Sequence, residues 1–315
     1  MTTTRSHTHS GFSRFRCSRN SIPIRSRIPG AIPSEGTWFE ALGYTAADKQ
    51  TILGIGMTNI IDRFRLDDQV AVVTGSGRGI GEGLALGLAE AGADVVLAAR
   101  RTEEIEAVAE KIQALGRRAL PVTTDVMFID QVEELAQTAL KEFGRLDCWV
   151  SNAGGADDRV PRTFMDMPER QWDFQLNLNL KAVWTGAQAA SKIMKDNGGG
   201  TIINISSAAA GNASPFNGPY AVAKSGVNNL TQTLAAELAA HGIRVNGVSP
   251  GPIPTEVFME FLNLKEEEIP ELGERFQIPL GRVGMPEDIA PAVVYLASDA
   301  SSWMTGQTIL IKGGP

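Results

Sequence analysis

The sequence predicts an α/β protein whose core is a doubly wound parallel sheet with helices on both faces. From Gln69 onward, six short β-branched runs alternate with helical stretches, and repeated strand–helix alternation is typical of parallel sheets. The runs are almost continuously apolar, as expected of strands that are buried on both faces. The chain has 315 residues, of which 43% are hydrophobic, so it is large enough to bury a full core.

The predicted elements follow one another along residues 57–315. In chain order, the predicted strands are VAVVT, DVVLAA, ALPVTT, DCWVS, TIINIS and RVNGVS. The helical stretches between them include GEGLALGLAEAG, EEIEAVAEKIQALG, IDQVEELAQTALKEFG and ERQWDFQLNLNLKAVWTGAQAASKIMKD. A further helix opens with GPYAVAKSG after the fifth strand. Neither an internal repeat nor a low-complexity linker interrupts this region, so we predict a single domain over 57–315.

Residues 1–56 fall outside this pattern. The first 30 residues contain six arginines, no acidic residue and no hydrophobic period. Three interpretations stay open: an Arg- and Ser-rich targeting peptide, a disordered extension, or an upstream start with Met57 opening the functional chain. We favour the disordered extension or the start-site artefact, and we assign no function to residues before Met57.

Composition excludes several functional classes. The net charge of −7 gives no large basic field, which argues against a nucleic-acid partner. No apolar run approaches the roughly 18 residues of a membrane span. Cys17 and Cys148 are too few for a disulfide framework, which favours a reducing compartment and a cytoplasmic location. His7, His9 and His241 lack the spacing of zinc ligands, so no metal site is predicted.

Small and polar residues follow every predicted strand. In an open parallel sheet, ligands bind in the crevice beyond the carboxyl ends of the strands. Turn formation alone would also favour glycine and asparagine there, but six such ends together predict a binding crevice. The segments at these ends are Gly75–Gly81, Ala99–Arg101, Asp125, Asn152–Gly154, Ser206–Ser207 and Pro250–Gly251.

The first of these segments lies between a strand and a helix, in VAVVTGSGRGIGEGLALGLAEAG. Glycines let the backbone approach a pyrophosphate closely, and the following helix presents free N–H groups and its positive dipole end. The spacing is T-G-x-x-x-G-x-G rather than G-x-G-x-x-G. We therefore predict a Rossmann-like dinucleotide site at this turn. Its residues are Gly75, Ser76, Gly77, Arg78, Gly79, Ile80 and Gly81.

The end of the second strand indicates which dinucleotide binds. An NAD site usually has an acid there, which binds the ribose 2′-hydroxyl, whereas this chain has Ala99 followed by Arg100 and Arg101. A guanidinium pairs with a 2′-phosphate through charge-assisted hydrogen bonds, and Arg78 adds a second cation. NADP is therefore favoured over NAD. Alternatively, Arg100 and Arg101 merely begin a solvated loop.

Tyr220 and Lys224 are four residues apart, so they lie on one face of a helix. Hydride transfer to a carbonyl leaves an alkoxide that needs a proton, and the pKa of free tyrosine is near 10. A neighbouring cation favours the phenolate and lowers that pKa toward the working range. Ser207, which ends the fifth strand before the loop that leads into this helix, could donate a hydrogen bond to the substrate oxygen. A lone Tyr–Lys pair would usually mark only a surface helix; beside a dinucleotide turn it predicts an acid/base.

These motifs together resemble those of the one-domain short-chain dehydrogenase/reductase family, from about Arg63 to Gly314. The matching segments are TGSGRGIG, Asp125-Val126, SNAG, NLNLKAVW with Asn179, NISSAAA with Ser207, YAVAK and SPGPIPT. One departure is Ser151, which stands where the family has the first asparagine of N-N-A-G. That position mainly shapes the turn, so we expect little loss.

The resemblance implies roles for individual residues. Tyr220 would be the acid/base and Ser207 would orient the substrate. Lys224 would lower the tyrosine pKa and bind the nicotinamide ribose, and Asn179 would hold a water that links Lys224 to solvent. Asp125 and Val126 would contact the adenine. Further cofactor contacts would come from Tyr220 and Lys224 themselves and from Asn152, Ala153, Gly154, Pro250, Gly251 and Thr255.

The sequence thus predicts an NADP(H)-dependent oxidoreductase that interconverts a secondary alcohol and a ketone, and the resemblance implies a homotetramer or dimer. The lid segment EVFMEFLNLKEEEIPELGERFQIPL has an apolar first half, which suits a hydroxysteroid-like or 3-oxoacyl-like substrate but equally suits packing on its own domain. Enoyl reductases of the superfamily space Tyr and Lys more widely, so the four-residue spacing in YAVAK argues against that activity. The alternative is a catalytically silent NADP-binding regulator, although such proteins typically lose the Tyr or Lys.

Overall fold

The structure is a computed structural model that describes residues 59–155 and 161–315. These residues form one seven-stranded sheet in the order β3-β2-β1-β4-β5-β6-β7, and every neighbouring pair is parallel. The prediction for residues 1–56 lies outside the described residues. The strands are β1 (Val70–Thr74), β2 (Asp94–Ala99), β3 (Ala119–Thr123), β4 (Cys148–Ser151), β5 (Gly200–Ile205), β6 (Ile243–Pro250) and β7 (Thr308–Ile311).

Helices connect the strands and continue beyond β6. Those before the catalytic motif are α1 (Gly79–Glu90), α2 (Thr102–Ala114), α3 (Ile129–Phe143), α4 (Glu169–Leu176) and α5 (Ala182–Asp196). Those from the motif onward are α6 (Gly218–Leu238), α7 (Glu256–Phe261), α8 (Leu272–Arg275) and α9 (Pro286–Ala297). Within the described part of the chain, none is both long enough and apolar enough to cross a membrane.

Two apolar cores lie on opposite faces of the sheet. Leu84 of α1, Ile105 of α2 and Ile289 of α9 belong to one core. Leu135 of α3 and Met194 of α5 belong to the other. Successive side chains of a strand point to opposite faces, so every strand that carries apolar residues at consecutive positions feeds both cores. The predicted doubly wound parallel sheet with helices on both faces is confirmed.

Two local features differ from the sequence prediction. The prediction of six strands is incomplete, because Thr308–Ile311 pairs with β6 as a seventh strand. This strand is short and lies at the sheet edge, with Leu310 53% exposed, so it lacks the continuous burial of the central strands. The single helix predicted over residues 169–196 is interrupted by a π-helical turn at Asn177–Lys181.

Candidate active site

A cavity of about 750 Å³ opens at the carboxyl edge of the sheet. Its walls come from the glycine turn after β1, the ends of the next strands, the start of α6 and the lid that begins at Thr255. Nearly all of the residues predicted to bind cofactor or substrate line this cavity; Ser76 and Asn179 do not. The topology therefore brings together motifs that are far apart in the sequence.

The glycine turn after β1 is shaped for a close backbone approach. Gly75 has φ +65°, and a Cβ on Gly81 would lie 2.0 Å from the Gly75 carbonyl oxygen. The Asn152 amide donates to the carbonyl oxygens of Thr74 at 2.9 Å and of Gly75 at 3.1 Å. The turn is therefore fixed against the end of β4, and the absence of a side chain at its glycines leaves room for a pyrophosphate.

Ser76 has a structural position rather than one in the cavity wall. Its side chain is fully buried, and its Oγ accepts a hydrogen bond from the Ala98 backbone N–H at 3.0 Å. The sequence assigned it to the cofactor because it lies inside the glycine motif. The structure shows instead that it ties the turn to β2.

The three arginines of the cavity differ in their partners. Arg101, which immediately precedes α2, pairs with Glu104 in the first turn of that helix. Arg78 pairs with Glu256 of the lid, although the sequence assigned it to the 2′-phosphate. Arg100 is exposed and lines the cavity, and it forms no ion pair with any other described residue. Of the three, Arg100 therefore matches the sequence prediction of a guanidinium available to a phosphate.

Tyr220 and Lys224 lie in the first turns of α6, where Pro219 occupies an N-terminal position that proline tolerates. Lys224 is buried, and its Nζ donates to the Ile205 carbonyl oxygen at 2.8 Å. The same nitrogen lies 5.7 Å from the centre of the Tyr220 ring. Ser207 lies close enough to the Tyr220 hydroxyl to lower the pKa of the phenol. The serine, tyrosine and lysine are thus adjacent, as the sequence predicted.

The direction of the tyrosine pKa shift is opposite to the sequence expectation. Burial raises the pKa of Tyr220, and the hydrogen bond with Ser207 lowers it by less. Burial also lowers the pKa of Lys224 to about 8. The Lys224 ammonium group donates to a backbone carbonyl rather than to the phenol. Desolvation therefore has a larger effect on the pKa of Tyr220 than the neighbouring charge has.

Asn179 lies in the π-helical turn and is completely buried. Its Oδ1 accepts from the Gly155 N–H at 3.1 Å, and its Nδ2 donates to the Gly155 carbonyl oxygen at 3.0 Å and to Gln175 Oε1 at 2.7 Å. The side chain therefore fixes the turn at Gly154 and Gly155, which follows β4. A Cβ on Gly154 would lie 2.9 Å from Asn179 Oδ1 and 3.5 Å from Lys224 Nζ, so both groups border this turn.

The sequence interpretation missed Gln175. This side chain is buried beside Asn179 and accepts a hydrogen bond from its amide. The available signal was a polar residue one turn before Asn179, on a face of the helix that is buried. Buried polar side chains require partners, and such a position indicates a network rather than packing.

The lid supplies an apolar wall. Val257, Phe258, Phe261 and Leu262 line the cavity, as do Phe174 and Leu178, two residues that the sequence did not identify. The lid also packs on its own domain, because Met259 joins a small core with Leu272, Ile278 and Val283. Both uses of the apolar segment that the sequence left open are therefore present, and Phe258 takes part in both.

The cavity suits an extended dinucleotide better than a metal. It runs along the ends of successive parallel strands, and the glycine turn at one end leads into α1, whose N–H groups are free for an anion. Across residues 59–155 and 161–315, no three His, Cys, Asp or Glu side chains are grouped to hold a metal ion.

Curated relatives cover nearly the whole described domain. The chain is 40% identical to 2-dehydro-3-deoxy-D-gluconate 5-dehydrogenase of Escherichia coli, over 81% of this chain and 98% of that protein. It is 36% identical to the 3-oxoacyl-[acyl-carrier-protein] reductase FabG of Thermotoga maritima, over 79% and 98%. The family model described as enoyl-(acyl carrier protein) reductase matches residues 75–315.

Solved structures show the same fold. A short-chain type dehydrogenase/reductase from Mycobacterium marinum has a TM-score of 0.75 at 40% identity, covering 81% of this chain and 98% of that one. A 7α-hydroxysteroid dehydrogenase with NADH and 7-oxo glycochenodeoxycholic acid has 0.74 at 35%, covering 82% and 98%. A gluconate 5-dehydrogenase from Burkholderia cenocepacia with NADP and tartrate has 0.73 at 36%, covering 80% and 97%. The chain therefore belongs to the short-chain dehydrogenase/reductase family of oxidoreductases.

Proposed function

We propose that this protein is an NADP(H)-dependent oxidoreductase that interconverts an apolar secondary alcohol and its ketone, with Tyr220 as the acid/base. The observation that supports this most strongly is the convergence of Ser207, Tyr220 and Lys224 in the cavity that also contains the glycine turn. A chain with only a dinucleotide site would not need a tyrosine, a serine and a buried lysine at its far end.

The side chains divide the proton chemistry among them. A nicotinamide cofactor, when bound, supplies or accepts the hydride. In reduction, the Ser207 hydroxyl donates a hydrogen bond to the ketone oxygen while negative charge develops there. Tyr220 gives its proton to the same oxygen, and the raised pKa of its phenol keeps that proton available at neutral pH. The Lys224 charge stabilises the phenolate that results.

Solved relatives differ in cofactor, since one is a complex with NADP and another a complex with NADH, so the preference for NADP(H) depends on this chain's own residues. Ala99 at the end of β2 leaves out the acid that would repel a 2′-phosphate. Arg100 lines the cavity beside it, and its guanidinium can form charge-assisted hydrogen bonds with that phosphate.

The lid half of the cavity supports an apolar substrate. Among the described lining residues, the cations are Arg78, Arg100 and Arg101 near the glycine turn and Lys224 on α6. A sugar-acid substrate would need a cation on the lid side for its carboxylate, whereas Val257, Phe258 and Phe261 offer apolar surface there. We therefore propose a hydroxysteroid-like or 3-oxoacyl-like substrate, unlike that named for the gluconate relative.

The test is a substrate panel followed by NADPH and NADH absorbance. It should contain an oxosteroid, a 3-oxoacyl thioester, a 2-enoyl thioester and 2-dehydro-3-deoxygluconate. We expect reduction of the steroid or the 3-oxo thioester with NADPH, and Tyr220→Phe should abolish it. Preferential turnover of the sugar acid would refute the apolar assignment, and turnover of the enoyl thioester alone would refute the carbonyl chemistry.

A catalytically silent NADP-binding regulator is the second candidate, and the same assay separates it from the enzyme. Its mark would be tight NADPH binding without turnover of any carbonyl, and a Tyr220→Phe variant that binds and behaves like the wild type. The intact serine, tyrosine and lysine argue against it.

The cytoplasmic location stays a prediction.

We propose that the protein forms a homo-oligomer through a surface groove separate from the cavity. A groove between the π-helical turn, α5 and α6 is lined by Leu176, Leu180, Trp184 and Leu230. Trp184 is 39% exposed there, and an exposed apolar groove with an aromatic side chain is typical of a protein interface. This supports the tetramer or dimer that the family resemblance implies.

A further inference from the structure

The glycine turn and the lid are joined by an ion pair. Arg78 immediately precedes α1, and Glu256 is the first residue of α7. Their side chains are paired while 33% and 50% exposed, respectively. Neither residue's local sequence indicates this contact, because 178 positions separate them along the chain.

A second contact fixes the position of Glu256. Thr255 lies directly against Gly79, since a Cβ on that glycine would be 3.1 Å from Thr255 Cγ2. The Thr255 hydroxyl also accepts from the Phe258 backbone N–H at 3.3 Å and so caps the lid helix. Two successive residues of the turn therefore meet two successive residues of the lid, and the Glu256 carboxylate is held where it faces Arg78.

This pairing bears on cofactor choice. We propose that Glu256 is a specificity-determining residue that holds the Arg78 guanidinium toward the lid, so that a 2′-phosphate must compete with a carboxylate for this cation. A cofactor with a free 2′-hydroxyl leaves the pair intact. Glu256 therefore weakens the preference for NADP(H) that Arg100 establishes. The inference rests on the proposed dinucleotide site.

The test compares the dissociation constants of NADPH and NADH, measured by fluorescence, in wild type and in Glu256→Gln. The amide keeps the size of the side chain and removes its charge. We expect the affinity ratio to shift toward NADPH by about two- to fivefold, the range expected for a partly exposed ion pair. In an Arg78→Gln background the same change should leave the ratio unaltered. Glu266→Gln, which removes an exposed charge elsewhere in the lid, should also leave it unaltered.

The outcomes distinguish a failure of the proposed dinucleotide site from a failure of the role of Glu256. If the wild type binds neither dinucleotide, the proposed function fails. If it binds them but Glu256→Gln leaves the ratio unchanged, or changes both affinities equally, only the role of Glu256 is refuted. A shift that persists in the Arg78→Gln background would also refute it, because the effect would then not pass through the guanidinium.

Discussion

Arg100 should set the cofactor preference, and its replacement gives a measurable switch. The guanidinium is exposed, so the contact with a 2′-phosphate belongs at the lower end of the range for hydrogen bonds to charged groups, about 1.5 kcal/mol. That value corresponds to roughly tenfold in discrimination. Arg100→Ser should therefore reduce the ratio of kcat/KM for NADPH to that for NADH by about tenfold. Adding Ala99→Asp should reduce it further, because the carboxylate repels the phosphate and accepts from a ribose hydroxyl.

Arg101 provides the matched control. It carries the same charge one residue later, but it pairs with Glu104, so Arg101→Ser should leave the ratio nearly unchanged. The assay is the initial rate with both cofactors and a single substrate. Equal effects of the two serine variants would show that only general positive charge matters. A wild type that uses NADH as well as NADPH would refute the electrostatic argument altogether.

The remaining predictions concern the proton donor, the lysine, the buried amide and the interface. Tyr220→Phe should abolish turnover with little change in NADPH affinity, because the ring stays and only the hydroxyl is lost. Initial rates and an NADPH binding titration check this. Burial lowers the pKa of Lys224 from 10.5 to about 8, so between these values the unfolded chain binds more protons than the folded one. The free energy of unfolding should therefore rise with pH across this window, and Lys224→Met should remove Lys224's share of that rise in urea titrations. Gln175→Leu should lower kcat more than it raises KM, since it removes one of the acceptors of the Asn179 amide, and Gln175→Glu should restore part of kcat. Trp184→Glu should shift the species seen by light scattering toward monomer, because it places a charge in the exposed apolar groove.

The sequence predicts the architecture well because each central strand is short, apolar and separated from the next by an amphipathic or Ala-rich helix. Periodicity of this kind is local and can be read directly. The edge strand at Thr308–Ile311 lacks it, since no other strand of the described residues pairs with its outer side and Leu310 is exposed. The π-helical turn at Asn177–Lys181 was also not predictable, because its cause is tertiary: the Asn179 amide binds Gly155, which follows a different strand.

The candidate site shows the same division between local and tertiary causes. Tyr220 and Lys224 were predictable because four residues on a helix bring two side chains to one face. The direction of the Tyr220 pKa shift was not, because it depends on how deeply the first turns of α6 are covered. Spacing specifies which groups meet, whereas burial specifies which protonation state each group prefers.

The arginines carry this reasoning one step further. Arg78, Arg100 and Arg101 look alike in the sequence, and each is a plausible phosphate ligand by charge alone. The structure distinguishes them through their carboxylate neighbours: the partner of Arg78 is Glu256 of the distant lid, while the partner of Arg101 is Glu104, three residues later in the chain. A guanidinium already paired with a carboxylate has fewer free N–H donors and a partly neutralised charge, so its net contribution to phosphate affinity is smaller than that of an unpaired one. Cofactor preference in this protein is therefore expected to depend on the acids beside the arginines as much as on the arginines themselves.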